Sequence, residues 1–290
     1  YNRATLGVYA PGSIFKPVVL IAALESGRLS PGDVFECPGY FQLGNRSFAC
    51  FLNTAHGAVD YRRAIEVSCN VFFYRTGLIT GYDPIWKMAH ALGLGEKMGI
   101  ESNESGGLLP DAEWKRRREN APWTDGDTCN VSIGQGALGV TPLQMACVAA
   151  TIANGGTVYQ PLLVVGERAS NETGFRVASP RMLREMGWSA ENLRRMREAM
   201  RDVIRSPSGS GHKAFVDGVE MAGKTGTAEY GRKSDGKKHG WMIAFAPFDR
   251  PRYAVAMMLD DAKTGGSSVG PRIHDLMTRV FALEKERENL

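Results

Sequence analysis

No stretch of the 290 residues approaches the ~18 consecutive apolar positions that a membrane-crossing helix requires, so no helical span is expected within the chain. Charge of one sign is equally scarce: 35 basic residues stand against 31 acidic ones, leaving a net charge of +4. The tightest basic cluster, Lys115-Arg116-Arg117-Arg118, has acids close on both sides. It reads as a solvated loop or helix face, and no nucleic-acid partner is expected. No internal repeat is present. Cysteine is sparse, five in all, and none falls in the tight C-x-x-C spacing of familiar zinc fingers. No leader peptide opens the chain, which begins at Tyr1 rather than at methionine. The chain is therefore expected to be a piece of a longer protein whose upstream part is missing.

What is present supports a large packed core. The chain is 43% hydrophobic and 9% aromatic, enough for one large domain or two small ones. Gly44-Asn45, between short apolar pieces from Val34 to Phe51, predicts a small β-hairpin. Asp60 to Ile65 opens a helix, and Tyr82 to Leu94 has helical spacing. Leu94 to Asp127 lacks sustained periodicity and predicts loop with short helices. Thr141-Pro142 is an N-cap followed by a good first helical residue, opening an apolar helix that Asn154-Gly155 ends. Val158 to Ser179 is strand-like, and Ser189 to Ile204 predicts an amphipathic basic helix. Met221 to Ala228, Trp241 to Pro247 and Tyr253 to Leu259 read as a strand meander, followed by a helix from Ile273 to Glu288. Helices flanking an antiparallel sheet make an α+β fold.

Three short motifs carry chemistry. Pro11 and Gly12 punctuate the chain, and Ser13 stands where a helix should begin. Lys16, three residues on, shares a helix face with Ser13, so its amine can reach the hydroxyl. Serine is a weak nucleophile until a base takes its proton, and lysine can be that base once burial or a second cation lowers its pKa. Alone, this spacing equally describes a capped helix with an exposed lysine. Ser68-Cys69-Asn70 offers a hydroxyl that can relay a proton and a carboxamide that can bind a carbonyl, although the tripeptide alone also serves as a helix cap. Gly223-Lys224-Thr225-Gly226-Thr227 is a strand whose glycines allow close backbone approach, as a docked substrate strand requires. Lys224, Thr225 and Thr227 could bind a carboxylate there, and Lys224 would also help keep Lys16 deprotonated. By itself the pentapeptide is also a bulged edge strand.

In this order, S-x-x-K, S-x-N and K-T-G form the catalytic set of penicillin-binding proteins and class A β-lactamases. With PGSIFKP, SCNVFFY, GQGALGVTPLQMA and GKTGTAE, the sequence resembles the penicillin-binding protein transpeptidase domain over nearly its whole length. The long spacing from Ser68 to Lys224, CPGYFQLGNRSF and HGAVDYRRAIE resemble its elongation-type branch, the penicillin-binding protein 2 subfamily. The resemblance implies an antiparallel sheet flanked by helices plus an all-helical subdomain. It implies that residues 1–290 are one transpeptidase domain, lacking its first strands, any membrane anchor and any non-catalytic domain. It makes Ser13 the acylated nucleophile and Lys16 its base, and gives Ser68 and Asn70 proton transfer and substrate binding. Lys224, Thr225, Gly226 and Thr227 would hold the substrate carboxylate end, and the backbone N–H groups of Ser13 and Thr227 would form the oxyanion hole. The implied reaction cross-links peptidoglycan stem peptides with release of D-alanine, and β-lactams mimic its first half. A β-lactam sensor or a serine β-lactamase is the alternative; the latter needs a base for water, for which Glu101, Glu104 and Glu113 are candidates. No cofactor is required for the chemistry. The implied location is the extracytoplasmic face of the inner membrane or the periplasm, with a glycosyltransferase or elongation-complex partner.

Cys37, Cys50, His56 and Cys69 are spaced 13, 6 and 13 residues apart and form a chemically suitable structural zinc set. The implied location makes a Cys37–Cys50 disulfide the rival, and free thiols remain open. A metal would brace Cys69, and with it Ser68 and Asn70. Cys147 reads as a small core residue and Cys129 is uninformative. His90, His212, His239 and His274 have no acid or nucleophile at telling spacing and read as structural or surface residues. Trp241, beside the Lys224 strand, could line a cleft.

Overall fold

A computed structural model describes residues 1–168, 170, 174, 176–231 and 235–288. In chain order, α1 (Arg3–Leu6) leads through a 3₁₀ turn (Gly12–Phe15) into α2 (Lys16–Glu25). The short strands β1 (Phe35–Cys37), β2 (Tyr40–Leu43) and β3 (Arg46–Ala49), a second turn (Phe51–Asn53) and β4 (Gly57–Val59) follow. A helical run comes next: α3 (Tyr61–Glu66), α4 (Asn70–Thr80), α5 (Tyr82–Ala91), α6 (Ala112–Glu119), α7 (Asp125–Ser132) and α8 (Pro142–Ala153). Four small strands, β5 (Thr157–Tyr159), β6 (Gly166–Glu167), β7 (Arg176–Val177) and β8 (Met182–Glu185), precede α9 (Ala190–Arg205). The chain closes with β9 (Ala222–Glu229), β10 (Lys238–Ala246), β11 (Tyr253–Leu259) and α10 (Gly270–Glu288).

The main sheet is antiparallel in the order β11-β10-β9, which leaves β9 on an edge. Successive strand residues face opposite sides, and β10 uses both. Trp241, Ile243 and Phe245 join the large core with α2, α8 and α9. Met242, Ala244 and Ala246 join a second core with Ile273 and Met277 of α10. A strand buried on both faces reads as a continuous apolar run, as Trp241 to Ala246 does. On the other flank, α4, α5 and α7 gather into the helical subdomain expected from the resemblance.

The axis of the molecule is α2. Every residue from Lys16 to Leu24 is buried, and a helix that is apolar all round belongs inside a core. It touches α4 and α5 on one flank and α9 on the other. Its first residue is Lys16, so the lysine lies where sheet and helical subdomain meet.

Local expectations hold for the β2–β3 hairpin, where Gly44 turns with a φ of 56°. They hold as well for the Thr141 N-cap and Pro142 start of α8, where Gln144 completes a capping box, and for the three main strands. Two differ. Ser13 does not begin an α-helix: it lies within the 3₁₀ turn, and α2 starts at Lys16. Of the strand-like segment from Val158 to Ser179, positions 169, 171–173 and 175 lie outside the described residues. Among the described residues no helix is long and apolar enough to cross a membrane.

Candidate active site

Gly12 places the turn that carries Ser13. Its φ is +57°, and a Cβ there would stand 2.5 Å from the Thr227 carbonyl oxygen, so only glycine lets the turn close on β9. Gly226 does the same from the strand side, where a Cβ would lie 2.9 Å from the Pro11 oxygen. Behind the turn, Gly12 N–H donates to the Gly134 carbonyl at 2.9 Å. Trp241 Nε1 donates to the Ala10 carbonyl at 3.1 Å. Trp241 is fully buried, so it props the turn from below rather than lining a cleft.

Ser68 comes from the short link between α3 and α4, in the left-handed region with φ 61°. Cys69 caps α4, its sulfur accepting from Phe72 N–H at 3.5 Å, and Asn70 is the first helical residue. Two lysines converge on this link. Lys16 Nζ donates to the Ser68 carbonyl at 2.8 Å, to Ser68 Oγ at 3.2 Å and to Asn70 Oδ1 at 2.7 Å. Lys224 Nζ donates to Ser68 Oγ at 2.9 Å and to the Thr225 carbonyl at 2.9 Å. Ser68 Oγ thus sits between two amines that sequence separates by 208 positions. The expected pairing differs in one respect: the described hydrogen bonds of Lys16 go to Ser68 and Asn70 rather than to Ser13. The 3₁₀ turn before α2 departs from the i, i+3 helix geometry assumed from the spacing.

Both lysines are fully buried. Burial pulls Lys16 down to about 7, against the opposing pull of Cys69 and Cys50. Burial, reinforced by the nearby Lys16 charge, holds Lys224 well below the ordinary lysine range. Of the two causes expected for Lys16, burial or a second cation, burial is the one that acts, and the repulsion between the amines falls on Lys224.

Ser13, Ser68, Thr225, Gly226 and Thr227 line one cavity of about 300 Å³. Thr225 Oγ1 donates to Ser210 Oγ at 2.8 Å, and Thr227 Oγ1 accepts from Gly265 N–H at 3.1 Å. Phe51, Leu52, His212, Lys213, Thr264 and Ser267 complete much of the wall. Sequence reasoning missed this second group, because neither spacing nor residue type sets those positions apart. His212, expected to be a structural or surface residue, lines the cavity, and its Nδ1 lies 3.0 Å from the Ile204 carbonyl. No carboxylate lines the cavity among the described residues. Glu104 instead accepts from the N–H groups of Met98 and Gly99, Glu101 accepts from Leu163 N–H, and Glu113 lines a separate cavity.

Cys37, Cys50, His56 and Cys69 come together only through the folding of β1, β4 and the α4 cap. Their ligand atoms all lie within 4.8 Å of one another. Cys37 Sγ is 3.6 Å from Cys50 Sγ and 3.5 Å from His56 Nδ1, and Cys50 Sγ is 3.4 Å from His56 Nδ1 and 3.8 Å from Cys69 Sγ. A tetrahedron built on Zn–S of about 2.3 Å and Zn–N of about 2.1 Å has edges of roughly 3.6–3.8 Å, so the donor set fits zinc. Cys50 is pulled down to about 4, first by the Cys69 thiol and then by N–H groups of Val71 and Asn70, which together outweigh burial. The five cysteines are unbridged, Cys129 is buried, and Cys147 is half-buried on α8.

Sequence comparison agrees with this geometry. The sequence model of the penicillin binding protein transpeptidase domain matches residues 1–278. The chain is 36% identical over 283 residues to the peptidoglycan D,D-transpeptidase MrdA of Acinetobacter baumannii, covering 92% of this chain and 42% of that protein. Its fold superposes with a TM-score of 0.84 on Pseudomonas aeruginosa PBP2 in complex with WCK 5153, at 31% identity, covering 96% of this chain and 62% of that one. The TM-score is likewise 0.84 for the complex between PBP2 and MreC from Helicobacter pylori, at 27% identity, with 98% and 51% covered. The chain spans about half the length of the curated relatives it matches. A lysine pair closing on one serine, a nucleophile turn locked to a K-T-G edge strand and a match across nearly the whole length lead to one conclusion: the chain belongs to the penicillin-binding protein transpeptidase family.

Proposed function

We propose that residues 1–290 act as one catalytic domain of a peptidoglycan D,D-transpeptidase working through a Ser13 acyl-enzyme. The observation that carries this is Ser68 Oγ held between two buried amines at 3.2 and 2.9 Å, beside Ser13 in one cavity. A lysine depressed to about 7 is a competent base near neutral pH.

In the first half-reaction Ser13 Oγ attacks the carbonyl of the penultimate D-alanine of a stem peptide. The Oγ–C bond forms and the Ser13 proton passes to Lys16. The C–N bond then breaks, the leaving amine takes a proton through Ser68 Oγ, and D-alanine departs. In the second half an acceptor amine attacks the ester, the C–N bond of the cross-link forms as the C–Oγ bond breaks, and the proton lost by the amine returns to Ser13 Oγ. N–H groups of Ser13 and Thr227 stabilise the oxyanion, a contribution of about 3 kcal/mol per donor. Thr225 and Thr227, with Lys224 close by, receive the terminal carboxylate, and Gly226 lets the donor backbone lie along the free edge of β9.

A β-lactam follows the first half only, because its leaving nitrogen stays tethered. Hydrolysis would need a base for water, and the lining of the cavity offers no carboxylate for it, which favours slow deacylation over a β-lactamase. The site Cys37, Cys50, His56 and Cys69 holds zinc in this proposal. Four protein ligands leave no open position, so the metal supplies rigidity rather than chemistry. The domain works at the extracytoplasmic face of the membrane or in the periplasm. An elongation-complex or glycosyltransferase partner is proposed by analogy with the relative seen with MreC.

The test is intact-mass spectrometry after incubation with benzylpenicillin, with Ser13→Ala alongside. A long-lived adduct on the unsubstituted chain, absent from Ser13→Ala, is expected, together with transfer of a D-alanyl-D-alanine donor to an amine. Adduct without transfer would point to a sensor, an adduct lost within seconds to a β-lactamase, and no adduct on folded protein would sink the proposal.

A further inference from the structure

We propose that Phe51 and Leu52 form the wall of the Ser13 cavity that reads the apolar side chain on the acyl half of the donor, making the Phe51–Asn53 turn a specificity element. The assignment rests on the acyl-transfer proposal above and deepens it.

The lining of the cavity divides by chemistry. Ser210, Lys213, Thr225, Thr227, Thr264 and Ser267 give it hydroxyls and a cation, suited to a carboxylate. Its large apolar side chains are Phe51 and Leu52. At about 300 Å³ the cavity takes the end of a donor and one neighbouring side chain rather than a whole peptide. A donor bound there by its carboxylate therefore shares the cavity with one aromatic and one aliphatic side chain.

Exposed leucines are common, and the 66% exposure of Leu52 would by itself mean little. Its backbone separates it from the others. Leu52 has φ 53° and ψ 25°, and Asn53 follows with φ 54°, so two successive non-glycine residues are left-handed. Leucine avoids that region, and such conformations persist only where the surroundings over-determine them.

Those surroundings are the catalytic helix and the thiol cluster. On the entry side, the Ala49 carbonyl accepts from Asn70 Nδ2 at 3.3 Å and from Tyr74 OH at 3.1 Å, and Cys50 Sγ accepts from Asn70 N–H at 3.3 Å. Within the turn, Asn53 N–H donates to the Cys50 carbonyl at 3.0 Å and Thr54 N–H to the Phe51 carbonyl at 3.1 Å. On the exit side, His56 N–H donates to the Cys37 carbonyl at 3.0 Å. The turn is thus bolted to the helix start that carries Ser68 and Asn70. It holds a bulky apolar side chain at a fixed place beside the nucleophile, in a conformation that leucine does not choose unaided.

The experiment compares acylation rates for benzylpenicillin and for 6-aminopenicillanic acid, the same bicycle without the acyl side chain. Intact mass is read for the unsubstituted chain, Leu52→Ser and Leu52→Gly. The expected result is a fall of about tenfold in the benzylpenicillin to 6-aminopenicillanic acid rate ratio in both variants. Leu52→Gly should keep or raise the melting temperature, since glycine accepts the left-handed backbone. An unchanged ratio, or equal slowing with both lactams, would overturn the assignment and leave the turn a structural strut. No adduct on the unsubstituted chain would overturn the acyl-transfer proposal and this assignment with it, a failure recognised by its independence of residue 52.

Discussion

A lysine amine without water around it is the central residue-scale fact. Lys16 has no exposed surface, its Nζ lies 5.3 Å from the centre of the Phe73 ring, and its hydrogen bonds end on Ser68 and Asn70. Burial disfavours the charged form, so a residue protonated in water at neutral pH becomes a base at about 7. The direction of the pH dependence follows. In the proposed mechanism Lys16 must be neutral to accept the Ser13 proton, so acylation by a penicillin should rise as pH increases through about 7 and level off above it. Stopped reactions read by mass across pH 5–9, a span of about four units around that value, check this. A rate that falls over the same range would assign the base elsewhere. Lys16→Arg should lose roughly 10²–10⁴-fold in acylation, because guanidinium stays charged.

At the scale of elements, the site depends on backbones lying closer than side chains allow. Gly134 has a φ of +73°, and a Cβ there would fall 2.0 Å from the Gly12 carbonyl oxygen. Gly134→Ala must push the nucleophile turn off its support. A loss of about 2 kcal/mol or more of stability is expected, with acylation slowed far beyond what that loss explains. Thermal melts set beside acylation rates separate the two effects, and a variant that acylates normally would show that the turn tolerates displacement. The thiol cluster does comparable work for the other half of the site. It joins β1 and β4 to the cap of α4, with Asn70 N–H resting on Cys50 Sγ. Metal analysis should find one zinc per chain, and chelation should lower the melting temperature by at least about 5 °C. Cys37→Ser should lose both the metal and the response to chelator. A chain free of zinc with an unaltered melt would leave the cluster as buried thiols.

For the molecule as a whole, the question is how the helical subdomain and the sheet are kept in register around α2. Gln144 is one tie. It is 1% exposed, its Oε1 accepts from Thr141 N–H at 2.9 Å, and its Nε2 donates to the carbonyls of Gly93, Glu96 and Gly106 at 3.1, 3.0 and 2.8 Å. One amide thus joins α8, which covers the sheet, to the connection after α5. Gln144→Leu strands buried carbonyls, and each group left unpaired costs about 1–3 kcal/mol. The variant should unfold at markedly lower denaturant while the surviving folded fraction still acylates. Loss of less than about 1 kcal/mol would mean that water replaces the amide.

The division of labour between sequence and tertiary structure is visible in these same residues. Motifs that act within a few positions were readable: the Thr141 N-cap, the Gly44 turn, the apolar run of β10 and the order of the three motif blocks all rest on local geometry or on identity. The donor chemistry of Cys37, Cys50, His56 and Cys69 was readable too, but its tetrahedral spacing exists only because β1 and β4 pair and bring positions 13 and 19 residues apart together. Tertiary structure alone decided that both amines close on Ser68, that Lys16 is in fact buried, that Trp241 supports instead of lining, and that His212, Ser210, Phe51 and Leu52 belong to the cavity. The physical reason is common to all of these. Solvent exclusion and close backbone approach are properties of surfaces that meet across long sequence separations, and no window of residues carries them.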